Sequence, residues 1–213
     1  MKKYNCVIFD LDGTLMDTSI GVLKSVKYTI NKMKFEKLSE EELRLFIGPP
    51  IQNSFKDKYT LDDNKTNEAA AMFRNAYKEK FLYHAKIFSG IIELLSYLRS
   101  NNILTMVATY KREDYTLMLL EYFGLSKYFD FIKGSDMDGK LTKADIVNLC
   151  IEKSNQDKEK AVLVGDTNHD LLGAKQAGID FIAVTYGFGF KKGEEFEDTV
   201  YVCDSVTDLH RIL

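Results

Sequence analysis

The chain has 213 residues, of which 45% are hydrophobic and 29% charged, with a formal net charge of -3 at pH 7. This composition gives room for one sizeable globular core, or for a core and a small second lobe. The acidic balance argues against a nucleic-acid binder, and no apolar run is long enough to span a membrane.

Val7–Ile8–Phe9 is short enough for a buried strand, and it ends abruptly on Asp10. Asp10 and Asp12 stand two apart, so in extended backbone their side chains project from the same side of the chain. Gly13 permits the tight turn that leaves the pair at a strand end. A calcium loop does not fit, because its further acids are missing.

The pattern then turns helical. Asp17, Thr18 and Ser19 are good N-cap types, followed by Ile20, Leu23, Val26 and Ile30 at helical spacing. Ser39–Glu40–Glu41–Glu42 reads as a capping box opening a second helix. Pro49 and Pro50, beside Gly48, interrupt the chain. Helices are predicted from about Gln52 to Tyr59 and from Thr66 to about Tyr83, with no strand between Asp17 and Lys86. A small all-helical lobe, residues 17–86, is therefore expected inside a core made of residues 1–16 and 87–213.

From Phe88 onward strands and helices alternate. Helices are predicted over 91–99, 114–123, 143–153 and 169–177, the last closed by Gly178. Strands are predicted over 104–108, 129–133, 161–164 and 181–184, with an edge strand at Tyr201–Val202 and a last helix over 206–213. The expected fold class is α/β: a Rossmann-like parallel sheet with helices on both faces, binding its ligand at the carboxyl ends of the strands.

Three of these strands end on complementary polar groups: Asp10 and Asp12; Thr109–Tyr110–Lys111; and Asp166 with Asp170 four residues on. Gathered carboxylates repel one another unless a cation lies between them. Hard oxygens without a His or Cys cluster suit Mg²⁺ holding a phosphate.

The motifs Phe9–Asp10–Leu11–Asp12–Gly13–Thr14–Leu15, Val107–Ala108–Thr109, Lys143 and Gly165–Asp166 through Asp170 resemble those of the haloacid dehalogenase superfamily, in its phosphoglycolate phosphatase-like branch. The resemblance covers nearly the whole chain, including a helical cap inserted after the first motif. It implies a Mg²⁺-dependent phosphatase of small phosphate monoesters. Asp10 would be the nucleophile, forming an aspartyl-phosphate, and Asp12 the general acid and base. Asp10, Asp166 and the main-chain carbonyl of Asp12 would hold the metal, with Asp170 as a further ligand or a second acid behind it. Thr109, Lys143 and, beside them, Tyr110 would hold the phosphoryl oxygens. Closure of the cap would exclude water.

The lysine motif commonly runs on into prolines. Here it reads Lys143–Ala144–Asp145–Ile146, and Lys140 and Lys133 lie nearby. Lys111 stands where branch members often carry a serine–lysine pair, and reads equally as a solvated lysine. Asp12 argues against halide displacement, since the dehalogenases of the superfamily lack that acid. Other substrates fit the same core: a nucleoside monophosphate, as in a 5′-nucleotidase, or a sugar phosphate in a mutase resembling β-phosphoglucomutase. Gly187–Phe188–Gly189 hints at a phosphate cradle without the full glycine fingerprint, so an ordinary loop is expected. His169 is expected at the surface and Cys150 in the core. The three cysteines, Cys6, Cys150 and Cys203, lie far apart in apolar settings, as reduced thiols do. The expectation is a cytoplasmic monomer acting on a small-molecule phosphate ester, with no nucleic-acid or membrane partner.

Overall fold

The computed structural model describes residues 3–137, 139–194 and 196–213. The chain divides into two units, Met1–Asp17 with Ile87–Leu213, and Thr18–Lys86.

The larger unit is built on strands β1 (Cys6–Phe9), β4 (Leu104–Arg112), β5 (Phe131–Ser135), β6 (Ala161–Gly165), β7 (Asp180–Val184) and β8 (Tyr201–Cys203). They form one sheet in the order β5-β4-β1-β6-β7-β8, and every pairing is parallel. Residues 6 to 9 are wholly buried, as expected of a central parallel strand covered on both faces. Cys6 and Ile8 join a core with Met106, Leu163 and Phe181, to which helices α7 (Lys143–Ser154) and α8 (Asn168–Ala177) contribute Ile146, Cys150 and Ala174. Val7 and Phe9, alternating with them, face the other side. Helix α5 (Ile91–Ser100) packs on β4 and on the last helix, α9 (Val206–Ile212), while α6 (Glu113–Tyr122) packs on β4 and β5. All three cysteines are buried and free.

The order places the reversal of the sheet at β1, between β4 and β6. Phe9 is in register with Val107 on one side and Val164 on the other. The residues following these three strands therefore emerge together at one edge, the position where open α/β sheets bind ligands.

The strand predicted over 104–108 runs further, to Arg112. Ala108 pairs with Lys133 and Arg112 with Ser135, so β4 carries two more residues than its neighbour over this interval. Such an irregularity bends a strand and re-aims its side chains.

The second unit contains α1 (Ser19–Met33), α2 (Glu40–Arg44), α3 (Ile51–Tyr59) and α4 (Asp63–Ala76). Ser39 and Glu42 form the expected capping box. Thr18 occupies the N-cap of α1 but makes no side-chain cap bond. α4 begins earlier than its apolar spacing predicts, because Asp62 accepts from Lys65 N and starts the helix there. It also ends earlier, passing into a π-helical turn over Tyr77–Phe81. Phe46, Phe55, Phe73 and Tyr77 are buried in this unit, with Phe46 edge-on to Phe55 at 5.0 Å. Two-residue strands, β2 (Met16–Asp17) and β3 (Lys86–Ile87), pair in a separate ribbon where the chain passes between the units. No helix among the described residues is long and apolar enough to cross a membrane.

Candidate active site

Asp10 follows β1 directly, its amide tied to Val164 O at 2.9 Å. Asp166 follows β6, and Asp170 lies in the first turn of α8. Asp166 thus stands at the strand end, as expected, and precedes the N-cap, Thr167. The Thr167 hydroxyl and amide both donate to Asp170 Oδ2, at 2.6 and 3.0 Å, a capping box that fixes the carboxylate.

Oxygens of Asp10, Asp166 and Asp170 lie within 4.8 Å of one another, and all three residues are buried. Lys143, the first residue of α7, enters the cluster and donates to Asp10 Oδ1 at 2.7 Å and to Asp170 Oδ1 at 2.6 Å. The neighbouring candidates do not: Lys133 pairs with Glu113 at 2.7 Å and Lys140 is exposed. Close approach of α8 makes this possible, since a Cβ on Gly173 would stand 2.5 Å from Lys143 Cγ.

The electrostatics follow from this crowding. Burial pushes the Asp10 carboxyl up to about 7; Lys143 opposes the shift, while Asp170 and Asp12 add to it. Burial, with Asp170 and Asp10 close by, raises Asp166 well above the ordinary carboxylate range, against the pull of two amides. Burial works against the charge on Lys143, but Asp10 and Asp170 outweigh it and hold the ammonium above its usual range. Three carboxylates against one ammonium leave two negative charges uncompensated when all are ionised. Hard oxygen donors with that excess fit a divalent cation.

Two further loops hold the cluster. Asp166 Oδ2 accepts from Phe188 N at 2.7 Å and Gly189 N at 3.3 Å. The 187–189 loop thus turns these two amides toward a carboxylate of the site. A Cβ on Gly13 would meet Asp166 Oδ2 at 2.2 Å, and Gly13 has φ +91°, which disfavours any other residue.

The Asp12 carboxylate is not one of the three in the cluster, though it lies near enough to Asp10 to add to that shift. Its Oδ2 is paired with Lys111 Nζ at 2.9 Å, with side-chain exposures of 15% and 7%, so Lys111 is not the solvated lysine that was one of its two readings. Thr109 is buried, and its Oγ1 accepts from Lys111 N at 3.2 Å. The Tyr110 hydroxyl accepts from Lys143 N at 3.0 Å, which gives it a part in placing α7. His169 is exposed, as expected, and lies edge-on to Tyr110 at 5.5 Å. The roles of Lys111 and of the Phe188 and Gly189 amides were not legible in the chain, whereas Thr167-x-x-Asp170 was a readable capping signal.

Residues 7–184 match the family of haloacid dehalogenase-like hydrolases. The chain is 31% identical over 212 residues to a 5′-nucleotidase of Pseudomonas aeruginosa, covering 99% of this chain and 96% of that protein. It is 31% identical over 184 residues to the tyrosine-protein kinase PtkA of Mycobacterium tuberculosis, covering 86% of this chain but only 62% of that protein. Among solved structures, a predicted phosphatase from Clostridium acetobutylicum superposes with a TM-score of 0.88 at 38% identity, over 98% of this chain and 97% of that one. Motif order, fold and relatives agree, and the chain belongs to the haloacid dehalogenase-like hydrolases as an enzyme of their phosphatase kind.

Proposed function

We propose that the enzyme hydrolyses small phosphate monoesters with Mg²⁺, through an aspartyl-phosphate on Asp10. The observation that carries this reading is Lys143 Nζ on Asp10 Oδ1 within a cluster of three buried acids. It is a nucleophilic carboxylate with a fixed ammonium beside it, in a place where phosphoryl charge would gather.

An Asp10 oxygen attacks phosphorus in line, forming the Asp10–phosphorus bond as the ester bond breaks. Asp12 gives its proton to the leaving oxygen, and then takes one from the water that hydrolyses the aspartyl-phosphate. Lys143 and the Thr109 hydroxyl stabilise charge on the phosphoryl oxygens, the electrostatic contribution that dominates phosphoryl transfer. Asp10, Asp166, Asp170 and the Asp12 main-chain carbonyl would hold the Mg²⁺, which supplies charge neutralisation for the phosphoryl group when bound. The helical unit, Thr18–Lys86, takes the selective role of the cap, and Tyr110 serves the phosphoryl group through Lys143.

The preferred class is a small ester such as phosphoglycolate. A nucleoside monophosphate is the second reading, favoured by the 5′-nucleotidase relative at near-complete coverage. The test is inorganic phosphate release from phosphoglycolate, nucleoside monophosphates and hexose phosphates, with Mg²⁺ or chelator, in wild type and Asp10→Asn. Mg²⁺-dependent release that vanishes in Asp10→Asn is expected, and the best ester names the substrate. No release from any ester by folded protein overturns the phosphatase reading, and turnover only after priming by a sugar bisphosphate would replace it with a mutase.

A further inference from the structure

Lys111 carries a role that neither the motifs nor the acid cluster assigns. Its Nζ is 2.9 Å from Asp12 Oδ2, and only 7% of its side chain is exposed. A lysine loses solvation and side-chain freedom when it is held this way, and a carboxylate loses solvation too. Such a pair is weak evidence for stability on its own, so what its geometry orients is the question.

The backbone prepares it. In a regular strand, Thr109 and Lys111 would simply alternate in and out of the sheet with their neighbours. Here β4 carries two additional residues between Ala108 and Arg112 relative to β5, and the interval contains both. The amide of Lys111 donates to the Thr109 hydroxyl at 3.2 Å, and a Cβ on Gly134 would stand 2.6 Å from Lys111 O, so β5 approaches the bulge closely. The next cation in sequence is already committed elsewhere: Arg112 forks onto Asp114 at 3.1 and 2.7 Å. The lysines of this edge are thus divided among acids, Lys143 to Asp10 and Asp170, Lys133 to Glu113, and Lys111 to Asp12.

We propose that Lys111 is a positioning residue that fixes the direction of the Asp12 carboxyl for proton delivery to the leaving oxygen. The inference rests on the aspartyl-phosphate reading above. In that step the bond from phosphorus to the ester oxygen breaks as the Asp10–phosphorus bond forms. The bonding pair leaves with the oxygen, and the Asp12 proton neutralises it. The negative charge then left on Asp12 faces the Lys111 ammonium. The rival role is direct binding of the substrate phosphate by Lys111.

The two roles separate by leaving group. A 4-nitrophenolate departs with little need of a proton, whereas an alkoxide needs one, so loss of an aligned acid falls mainly on alkyl esters. The experiment measures kcat and kcat/KM, the latter reporting through transfer to Asp10, with 4-nitrophenyl phosphate and with an alkyl phosphate. Wild type, Asp12→Asn, Lys111→Met and Lys111→Arg are compared, each with a melting curve. Lys111→Met is expected to lose about 10–100-fold in kcat/KM on the alkyl ester, a fraction of the general-acid contribution. That loss should exceed its loss on the aryl ester by about tenfold or more, with Lys111→Arg recovering part of it through a guanidinium–carboxylate pair. If Lys111→Met does not fold, Lys111→Gln is read in the same comparison. Equal losses on both esters, or a loss confined to KM, overturn the proposal. If Asp12→Asn itself shows no dependence on the leaving group, the assignment of Asp12 fails. If only the Lys111 variants lack that dependence, the fault lies with Lys111 alone.

Discussion

Lys143 Nζ donates to Asp10 Oδ1 at 2.7 Å, joining residues 133 positions apart in the chain. Both side chains are almost wholly buried, at 3% and 8% exposure. Removing one partner of a buried pair leaves the other charge uncompensated, at a cost of about 3–5 kcal/mol. Lys143→Met is therefore expected to lower stability in metal-free protein by about that much, read as a lower denaturant midpoint at unchanged m-value. Added divalent cation should narrow the gap, because it supplies positive charge to the same carboxylates. Turnover should fall by about 10²-fold or more. A stability loss close to zero would mean that the acids take up protons readily and do not depend on the lysine.

The pH dependence of stability has a sign that the cluster sets. Burial raises the Asp10 carboxyl from its ordinary 3.8 to about 7 in the folded protein. The folded state thus binds a proton that the unfolded chain has already lost across this interval. The stability contributed by protonated Asp10 is fully present below the unfolded value and is lost as pH rises through about 7. Asp166 is raised too and acts in the same direction. Metal-free enzyme should accordingly melt at lower temperature at pH 8 than at pH 6, and a saturating divalent cation should flatten or reverse that trend. Melting temperatures across pH 5.5–8.5, with chelator and with Mg²⁺, check it; a metal-free melting temperature that rises across this range contradicts the assignment.

The sheet was readable because its evidence is local: short apolar runs ending in Asp10, Thr109 and Asp166, separated by helices with Gly124 and Gly178 just beyond two of their ends. The family motifs named Asp10, Lys143 and Asp166, and the structure brings them together. What escaped the sequence is what depends on distant backbone. The two additional residues of β4 arise from its register with β5, so a strand end at Thr109 looked natural. The donors to Asp166 are main-chain amides of Phe188 and Gly189, and an amide leaves no mark in side-chain identity. Lys111 differs from a surface lysine only by its partner, Asp12, which lies 99 positions earlier.

Gly187 supports the site through the space that it leaves empty. A Cβ there would stand 2.3 Å from Asp166 Oδ2 and 2.5 Å from Gly13 O. Gly187→Ala must therefore push either the carboxylate or the loop. A shifted ligand typically costs about 10–100-fold in metal affinity. Calorimetric titration with Mg²⁺ is expected to show a loss of that order, along with an overpacking cost of about 1–3 kcal/mol in stability. Unchanged cation affinity in a destabilised protein would show that the loop yields and the carboxylate stays.

Tyr110 is expected at the phosphate, and its hydroxyl accepts from Lys143 N at 3.0 Å. That amide is the first of α7 and belongs to the group of helix N–H donors that have no partner within the helix. Thr142 serves Asp145 N, two residues further on, so Tyr110 and Thr142 satisfy different donors of the same helix end. Tyr110→Phe removes the acceptor and nothing else of size, at an expected cost of about 0.5–1.5 kcal/mol in stability. Because α7 carries Lys143 into the cluster, a small displacement of its first residue should lower kcat several-fold while KM stays within about twofold, the signature of an interaction made in the transition state. A phosphate contact by the hydroxyl itself predicts the reverse, a raised KM at nearly constant kcat. Steady-state kinetics of Tyr110→Phe on the preferred ester decides between alignment of the lysine and direct grip on the substrate.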